Sequence, residues 1–443
     1  MEKKIKIIRD ILSRKKIADY EIYLEQGREL TIEVKEGKVD AMEEGMTSGF
    51  ALRVLSGQKI GVSYGTDFSQ KALEAAVAHA FESSAHTTPH PHHGWPAPAK
   101  SYPSVSNLDA SLSSIPLRDK IEAARILEAE ALRADPAVKR VRYATYAEAI
   151  SEIRLVNSLG ADLIHRRSFI TQSLMAVASK GEDSEMAYDT QSSPFWKDLN
   201  PALLAKKTAL EAASQLGGKR ISNYRGPIIL AQNVASEMLS LLAPSTSAEN
   251  IHKKNSFLIG KKGKKIYADG VTLIDDGLYE KGGGASPFDD EGTPRQKTPV
   301  IEKGVVRQFL YDTFWGKEEG VPSTGNASRE GIAGKVRPDI THFYLEPGKF
   351  SQDELLSRMG EGVLVTQAIG MHTADPISGD FSVGMGGFRV KNGKKDHPIR
   401  SVALTGNLHD LFAKVTEVGS DLKFDDNIGS PSLLLSDASV AGE

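Results

Sequence analysis

The first 84 residues alternate between helical and strand-like patterns of apolar positions. Ile5, Ile8 and Leu12 recur at helical spacing, which predicts an amphipathic helix packed on a domain rather than on a membrane surface. Two strand-like runs follow at 19–25 and 30–34, with a glycine in the turn after the second. The chain is therefore expected to begin with a helix and then strands.

The same segment ends in a predicted hairpin and a second helix. Residues 50–55 and 60–63 are strand-like and flank a Ser-Gly pair, where a tight turn fits. A helix is predicted at 70–83, with Asp67 or Ser69 as its cap. This part of the chain is predicted to form a small domain of helices and antiparallel strands.

A stretch rich in proline, serine and histidine then interrupts the pattern. Proline fixes φ and removes a hydrogen-bond donor, so this stretch is predicted to be a linker or a long loop. Regular patterns return after it, which predicts a middle region made of helices and a long hairpin. The elements expected there are helices at 117–133 and 202–216 and strands at 138–157 and 161–178.

Beyond Gly217 the chain is rich in glycine and consists of many short strand-like runs. Helices are predicted only at 231–242, 352–359 and 407–418. Short strands separated by glycine turns indicate an antiparallel sheet or barrel. The predicted fold class is α+β, with an N-terminal helix and antiparallel-strand domain, a middle helix-hairpin region, and a Gly-rich, mainly antiparallel β C-terminal domain with flanking helices. The predicted boundaries are 1–84, a linker at 85–113, 114–218 and 219–443.

Composition narrows the class of protein. The 443 residues include 0 Cys, which excludes disulfides, thiolate metal ligands and cysteine nucleophiles. The absence of cystine favours a reducing compartment, so a cytoplasmic location is expected. Lys+Arg 55 against Asp+Glu 58 gives a net charge of -3, which argues against direct binding to nucleic acid. No apolar run approaches the roughly 20 residues of a membrane span, so no membrane contact is expected.

Three local motifs each have a chemical and a structural interpretation. Gly61–Gly65 matches the GxSxG pattern of a nucleophile elbow, but the flanking pattern favours an ordinary strand end. Four histidines between His86 and His93 are suited to zinc, copper or nickel, whereas their alternation with proline favours a solvated linker. The carboxylates at 289–291 fit either a Ca²⁺ or Mg²⁺ site or a turn stabilised by Asp side chains.

Six strings in a fixed order form a more specific signal. They are VNSLG at 156–160, PFDDEGTPRQKTPVIEKGVVRQFLYD at 287–312, STGNASR at 323–329, SGDFSVGMGGFRVKNG at 378–393, GNLHDLF at 406–412 and PSLLLSDASVAGE at 431–443. Together they resemble the TldD/PmbA family, also called the modulator of DNA gyrase family. The resemblance spans most of the chain and is densest in its C-terminal half.

The resemblance implies a cytosolic metallopeptidase that works as a pair of homologous subunits, TldD and PmbA (also called TldE), on peptides or unfolded small proteins. The TldD subunit carries an HExxxH motif on a helix of its C-terminal domain, and a C-terminal Cys as a further metal ligand. In such a site two imidazoles and a thiolate hold zinc, and the Glu takes a proton from the attacking water. Zinc is therefore expected in a TldD-type partner.

The corresponding helix of this chain lacks that chemistry. Ungapped matching places Ser240 and Ser245 at the two His positions and Leu241 at the Glu position. A serine hydroxyl is a poor zinc ligand, leucine cannot act as a base, and residues 231–250 contain no histidine. The resemblance thus implies a PmbA/TldE-like subunit with no catalytic residue and no cofactor of its own. A TldD-type subunit is its expected partner, and a homodimer is the alternative assembly of the isolated chain.

Glycines offer such a subunit a way to contribute to a peptide groove. Gly384, Gly386 and Gly387 lie in a strand-like run, where glycine permits another backbone to approach closely. An extended peptide that pairs with such a strand is held through its main chain, with little selection among side chains. A bulge inside an internal strand explains the same residues equally well.

Two alternative functions are consistent with the sequence. A self-sufficient metallohydrolase would draw its ligands from the carboxylates and from His252, His342, His372, His397 and His409. A protein that binds DNA gyrase, as the second family name suggests, would need no metal. The near-neutral charge argues against contact with DNA but not against contact with protein.

Overall fold

The computed structural model describes residues 1–442, and its α+β architecture confirms the predicted fold class. The helices are α1 Glu2–Arg14, α2 Gln70–Ser84, α3 Leu117–Ala134, α4 Pro201–Ser214, α5 Gln232–Leu242, α6 Ala248–His252, α7 Thr313–Glu319, α8 Gln352–Met359 and α9 Leu408–Ala413. The first strands are β1 Tyr20–Lys35, β2 Lys38–Ser56, β3 Lys59–Gly65, β4 Val138–Asn157, β5 Asp162–Lys180, β6 Asp183–Ser193 and β7 Tyr224–Leu230. Among residues 1–442, no helix combines the length and the apolar character needed to cross a membrane.

The remaining strands are short and lie in the C-terminal part. They are β8 Leu273–Asp276, β9 Lys297–Glu302, β10 Val305–Val306, β11 Ala327–Ser328, β12 Arg337–Pro338, β13 Phe343–Leu345, β14 Gly362–Ile369, β15 Asp380–Lys391, β16 Lys394–Asn407, β17 Val415–Val418, β18 Lys423–Asp425, β19 Ile428–Ser430 and β20 Leu433–Ala441.

A single antiparallel sheet contains strands from both the N-terminal and the middle part of the chain. Its order is β3-β2-β1-β4-β5-β6, so β1 lies between β2 and β4. Glu21 of β1 is opposite Arg53 of β2 on one side and Asn157 of β4 on the other. The runs predicted at 19–25 and 30–34 belong to this one strand. The sequence suggested two strands because the polar residues between the runs interrupt the apolar pattern.

Helices α1 and α2 cover the end of the sheet that contains β3. Ile5, Ile8 and Leu12 are buried there against the apolar face of α2, which confirms that the first helix is docked on the domain. The hydroxyl of Ser69 accepts a hydrogen bond from the backbone N–H of Ala72 and caps α2. Of the two predicted caps, Asp67 and Ser69, the structure therefore has Ser69. At the other end of the sheet, α3 and α4 lie close to their predicted positions and pack on β4, β5 and β6.

The GxSxG string forms part of β3 rather than a nucleophile elbow. Ser63 pairs with Leu52 of the antiparallel neighbour β2, and α2 begins only at Gln70. Gly61 has a packing role, because a Cβ on it would lie 1.8 Å from the carbonyl oxygen of Ala80 in α2. The strand-end interpretation therefore holds.

The C-terminal part contains a closed ring of strands next to a second sheet. Strands β16-β15-β14-β7-β20 are paired in this order, and β20 also pairs with β16, so five strands close on themselves. The second sheet has the order β10-β9-β8-β13-β19-β18. The predicted helices at 231–242 and 352–359 are α5 and α8, whereas the helix predicted at 407–418 was wrong in its second half. There Val415 and Val418 belong to β17, because β-branched residues suit the strand that pairs with β20.

The predicted linker is an ordered strap between the first sheet and the C-terminal part. Trp95 is buried and its ring lies 4.9 Å from the guanidinium carbon of Arg53. The hydroxyl of Tyr102 donates to the carbonyl of Gly292 at 3.1 Å, and Asn107 Nδ2 donates to the carbonyl of Ala285 at 2.8 Å. These contacts fix the strap along its length.

Under the strap, a buried ionic network joins the first sheet to the C-terminal part. The guanidinium of Arg53 donates to both carboxylate oxygens of Glu21, at 2.8 and 2.6 Å, and to Glu291 at 3.1 Å. Arg329 donates to the same Glu21 carboxylate. The Arg53, Glu21 and Glu291 side chains are all less than a tenth exposed, so this network is screened little by solvent.

Candidate functional site

A cleft of about 590 Å³ lies between the free edge of the first sheet and the C-terminal strands. Strand β6 and helix α4 form one wall. The start of α5, the end of β14 and strand β18 form the other. The residues that line the cleft include Met186, Tyr188, Asp189, Lys207, Glu211, Asn233, Ser236, Glu237, Thr366, Gln367, Ile369, Lys423 and Asp425.

Helix α5 presents a polar stripe to this cleft because its opposite face is anchored in the core. Val234, Met238 and Leu242 are fully buried. At the start of the helix, Asn233 Nδ2 donates to the carbonyl of Thr366 at 2.8 Å and ties α5 to β14. The α5 residues on the cleft side are Gln232, Asn233, Ser236 and Glu237.

Glu237 is one of the acids of the cleft that have no side-chain partner in the part of the chain that the structure describes. Within residues 1–442 its carboxylate has no hydrogen bond or ion pair; only its main-chain carbonyl is bonded, to the hydroxyl of Ser240 at 2.7 Å. Burial raises the pKa of Glu237 to about 7, and the negative charge of Asp425 adds to the shift. Near neutral pH this side chain can therefore gain or lose a proton and can receive an amine or hydroxyl of a bound molecule.

Replacing Glu237 by glutamine is expected to stabilise the chain in alkali and to have little effect in acid. Between the ordinary carboxyl pKa of 4.5 and about 7, the folded chain keeps a proton that the unfolded chain has released, so stability falls as the pH rises. The full shift corresponds to about 3 kcal/mol, and partial exposure of Glu237 reduces the expected gain to about 1–2 kcal/mol.

Melting temperatures of the wild type and of Glu237→Gln at pH 5 and pH 8.5 test this expectation. The same change at exposed Glu43, which carries no side-chain bond within residues 1–442, is the control and should leave the pH dependence unchanged. A Glu237→Gln variant with the same melting temperature as the wild type at pH 8.5 would show that solvent neutralises the effect of burial.

The wall opposite α5 contains paired charges. The carboxylate of Asp189 contacts Lys423 and lies 3.3 Å from Lys207. Lys423 belongs to β18, so this pair closes one end of the cleft across the two parts of the chain. Burial raises the pKa of the neighbouring Glu211, and the negative charge of Asp189 raises it further.

Two strands present unpaired edges to the cleft. The carbonyl of Met186 in β6 accepts a hydrogen bond from Gln367 Nε2 at 3.0 Å, so it points away from β5 and into the cleft. Because main-chain groups alternate along a strand, those of Tyr188 point the same way. On the other wall β7 pairs with β14 only as far as Val365, and within residues 1–442 the rest of β14 has no strand on that side.

The residues matched to the HExxxH motif do not form a metal site. Ser240 continues the polar stripe of α5 one turn beyond Glu237, and its hydroxyl is used by the helix backbone. Leu241 packs against the C-terminal core, and Ser245 is buried in the turn after α5. The zinc of the family therefore does not fit these residues.

The three glycines lie one strand away from the cleft. Strand β15 pairs with β14 on one edge and with β16 on the other, so it offers no free edge to an extended peptide. Gly386 leaves room for Gln367, and a Cβ on Gly387 would lie 2.0 Å from the carbonyl oxygen of Leu364. Gly384 is the most open of the three, with its nearest neighbour, Ile369 Cβ, at 3.5 Å. Their geometry is that of a bulged internal strand.

The acidic residues at 289–291 form a turn stabilised by their own side chains. The carboxylate of Asp289 accepts hydrogen bonds from the backbone N–H groups of Glu291, Thr293 and Ala327, at 2.9 to 3.0 Å. Glu291 pairs with Arg53. Backbone donors and a guanidinium thus occupy the carboxylate oxygens of Asp289 and Glu291 that a Ca²⁺ or Mg²⁺ ion would require.

The histidines proposed for a self-sufficient metallohydrolase do not converge. His342 is buried beside the Asp276 carbonyl, His409 contacts the Tyr267 hydroxyl, and His397 pairs with Asp396. In the part of the chain that the structure describes, one group of three metal-binding side chains comes together, and it is His90, His92 and Glu318. The histidine-rich tract is therefore docked on α7 and not simply solvated as the sequence suggested.

The main residue that sequence reasoning missed is Glu237. Its signal was available, because it is one of only two acids in residues 231–250. What the sequence does not show is that β6, which is distant along the chain, supplies the other wall of its cleft. Asp189 and Tyr188 have no local pattern that marks them.

Comparison with known proteins agrees with the architecture. The C-terminal, central and first domains of the PmbA/TldA metallopeptidases match residues 223–442, 110–216 and 20–84. An uncharacterised protein of Methanocaldococcus jannaschii is 31% identical, with 98% of each chain covered. The metalloprotease PmbA of Escherichia coli O157:H7 is 25% identical, over 94% of this chain and 90% of its own.

A solved structure shows the same fold. It is a Thermotoga maritima protein described as a candidate modulator of a DNA gyrase, with 27% sequence identity and a TM-score of 0.92. The match covers 99% of this chain and 100% of that one. Since three consecutive family domains and a full-length relative agree, this chain belongs to the PmbA/TldD metallopeptidase family.

Proposed function

We propose that this chain is the non-catalytic, PmbA/TldE-like subunit of a heterodimeric metallopeptidase that acts on peptides or unfolded small proteins in the cytoplasm. One observation carries the proposal. Helix α5 reaches the cleft, but Ser240, Leu241 and Ser245 stand where the family has two imidazoles and a glutamate, and the chain holds no cysteine. A TldD-type partner supplies the zinc and the residue that activates water.

The cleft gives this subunit a way to hold a substrate. The free edge of β6 and the end of β14 offer main-chain donors and acceptors on both walls, which suits a peptide in extended conformation. Glu237 and Glu211 provide negative charge, and Lys207 and Lys423 provide positive charge. Such a cleft binds main chain first and selects side chains weakly.

Mixing this chain with a purified TldD-type subunit is expected to produce metal-dependent peptide cleavage that exceeds the sum of the separate chains. The physical reason is that this subunit lacks metal ligands, which the other supplies, while its own cleft adds strand edges that can hold the substrate. Cleavage of an unfolded polypeptide is measured with and without a chelator, and size measurements before mixing report whether the isolated chain is a homodimer.

The contribution of the cleft is tested in the same mixture with Tyr188→Pro and the matched control Tyr188→Ala. Proline at an outward-facing position of an edge strand removes a donor toward the cleft without removing a bond to β5. Proline is expected to reduce cleavage more than alanine does. Chelator-sensitive cleavage by this chain alone, or no gain on mixing, would contradict the proposal and favour a self-sufficient hydrolase.

A further inference from the structure

Three metal-binding side chains from distant parts of the sequence meet where the strap contacts α7. His90 Nε2 lies 3.5 Å and His92 Nδ1 2.8 Å from the same oxygen, Oε2 of Glu318. All three potential ligand atoms lie within 4.8 Å of one another. Each side chain is about one third exposed, at 34%, 35% and 32%, so solvent can reach the group from one side.

The histidines are held in place by the surrounding structure. The backbone N–H of His90 donates to the carbonyl of Gln58 at 2.9 Å, and His93 Nδ1 contacts the same carbonyl at 2.8 Å. The ring of His90 packs on Phe314 of α7, with the centroids 4.8 Å apart. Prolines flank His90 and restrict the backbone further. Little conformational entropy is therefore left to lose when the imidazoles bind a ligand.

The donor set is that of a zinc-class ion. Two imidazole nitrogens and one carboxylate oxygen, with water in the fourth position, suit Zn²⁺ and also Cu²⁺ or Ni²⁺. Tetrahedral ligand atoms about 2.0–2.2 Å from one ion lie about 3.3–3.6 Å apart. The 3.5 Å separation between His90 and Glu318 already fits, the 2.8 Å separation between His92 and Glu318 must widen, and any pair near the 4.8 Å limit must close by about an ångström.

Coordination requires a change in both rings. His92 Nδ1 now donates to Glu318, so its proton must move to Nε2 before Nδ1 can bind an ion. His90 Nδ1 lies 3.3 Å from the backbone N–H of His92, a long contact. When Nε2 binds a metal, the proton of a neutral imidazole resides on Nδ1, so the ring must turn away from this N–H. Two hydrogen bonds are thus exchanged for metal bonds, the long one to His90 Nδ1 and the one between His92 and Glu318.

We propose that His90, His92 and Glu318 bind one divalent ion of the zinc class and that this ion fastens the strap to α7. The site does not depend on the peptidase function proposed above. It uses neither α5 nor the cleft, and the fastened strap is the one that covers the Arg53 network. Bound metal should therefore stabilise the folded chain.

The test is a calorimetric titration with ZnCl₂ of the untagged full-length chain, stripped of metal beforehand. We expect one saturable site per chain and a rise in melting temperature on addition of zinc. His92→Ala and Glu318→Gln should each weaken binding by at least about tenfold. His86→Ala is the matched control, because His86 belongs to the same tract but lies outside the group of three.

Three outcomes would overturn the proposal. They are no saturable binding, equal weakening by His86→Ala and His92→Ala, and unchanged binding in Glu318→Gln. The second outcome would mean that the tract is a non-specific chelator. Glu318→Gln keeps the shape of the side chain, so its zinc affinity tests the proposed site even if His92→Ala folds poorly. Peptide cleavage is also measured with the His92→Ala chain mixed with a TldD-type subunit. Because the metal site does not depend on the proposed peptidase function, cleavage should be unchanged.

Discussion

Replacing Arg53 by methionine is expected to lower the free energy of unfolding by about 3–5 kcal/mol. The change leaves the carboxylates of Glu21 and Glu291 buried without their main partner, because Arg329 contacts Glu21 but not Glu291. Methionine fills a similar volume, so loss of packing contributes little. Urea unfolding followed by circular dichroism measures the effect.

Arg28→Met is the matched control for this change. Arg28 lies on the same sheet and contacts Glu44 at 2.8 Å, but both side chains are largely exposed, so a loss of less than about 1 kcal/mol is expected. Equal losses in the two variants would show that the buried network has no special energetic role.

The network also predicts a dependence on pH. Burial opposes ionisation of Glu21, but Arg53 and Arg329 together overcome it and hold the pKa of Glu21 below its ordinary value. The unfolded chain therefore takes up a proton before the folded chain does. The contribution of Glu21 is complete above the ordinary carboxyl pKa and is lost as the pH falls through the lower, folded value. Arg53→Met should reduce this loss in acid.

Replacing Gly387 by alanine is expected to cost about 2–3 kcal/mol. The new Cβ would lie 2.0 Å from the carbonyl oxygen of Leu364 and 3.1 Å from Val365 Cα, and both are backbone atoms of the neighbouring strand β14. Backbone inside a closed ring of strands cannot move aside as a flexible side chain can. The pairing of β14 with β15, which already contains a bulge at this point, must open.

Gly384→Ala is the control on the same strand. Its Cβ would make ordinary contacts, the nearest at 3.5 Å, so the change in stability should stay within about 1 kcal/mol of zero. A large loss in both variants would mean that the strand tolerates no side chain at all. Because Gly384→Ala is expected to fold, its peptidase activity with a TldD-type partner also tests the expectation that this glycine contacts a peptide.

Local sequence patterns predicted the elements that carry continuous apolar stripes. The helix predicted at 117–133 is α3, and the strands at 138–157 and 161–178 are β4 and β5, because each keeps one face in the core along most of its length. The pattern failed where burial changes along an element. Residues 38–47 of β2 are exposed on both faces, so nothing in their polarity identifies them as a strand.

The candidate site was only partly accessible to such reasoning. The missing metal chemistry of α5 follows from residue types alone, since no rearrangement can turn Ser240 or Leu241 into an imidazole or a carboxylate. The cleft and the meeting of His90 with Glu318 depend on contacts between segments far apart in sequence. The periodicity of apolar residues describes single helices and strands and carries no information about such contacts. They form only when the N-terminal, middle and C-terminal parts of the chain pack together.

The position of β1 between β2 and β4 has a consequence for synthesis on the ribosome. The hairpin β1–β2 emerges early. Strand β4, which pairs with the other edge of β1 and places Asn157 opposite Glu21, emerges only after the whole strap and α3. Until then a long strand edge of the nascent chain stays unpaired and open to association with other chains. Chains truncated between Ser56 and Val138 should therefore aggregate, even though the first family domain ends at residue 84.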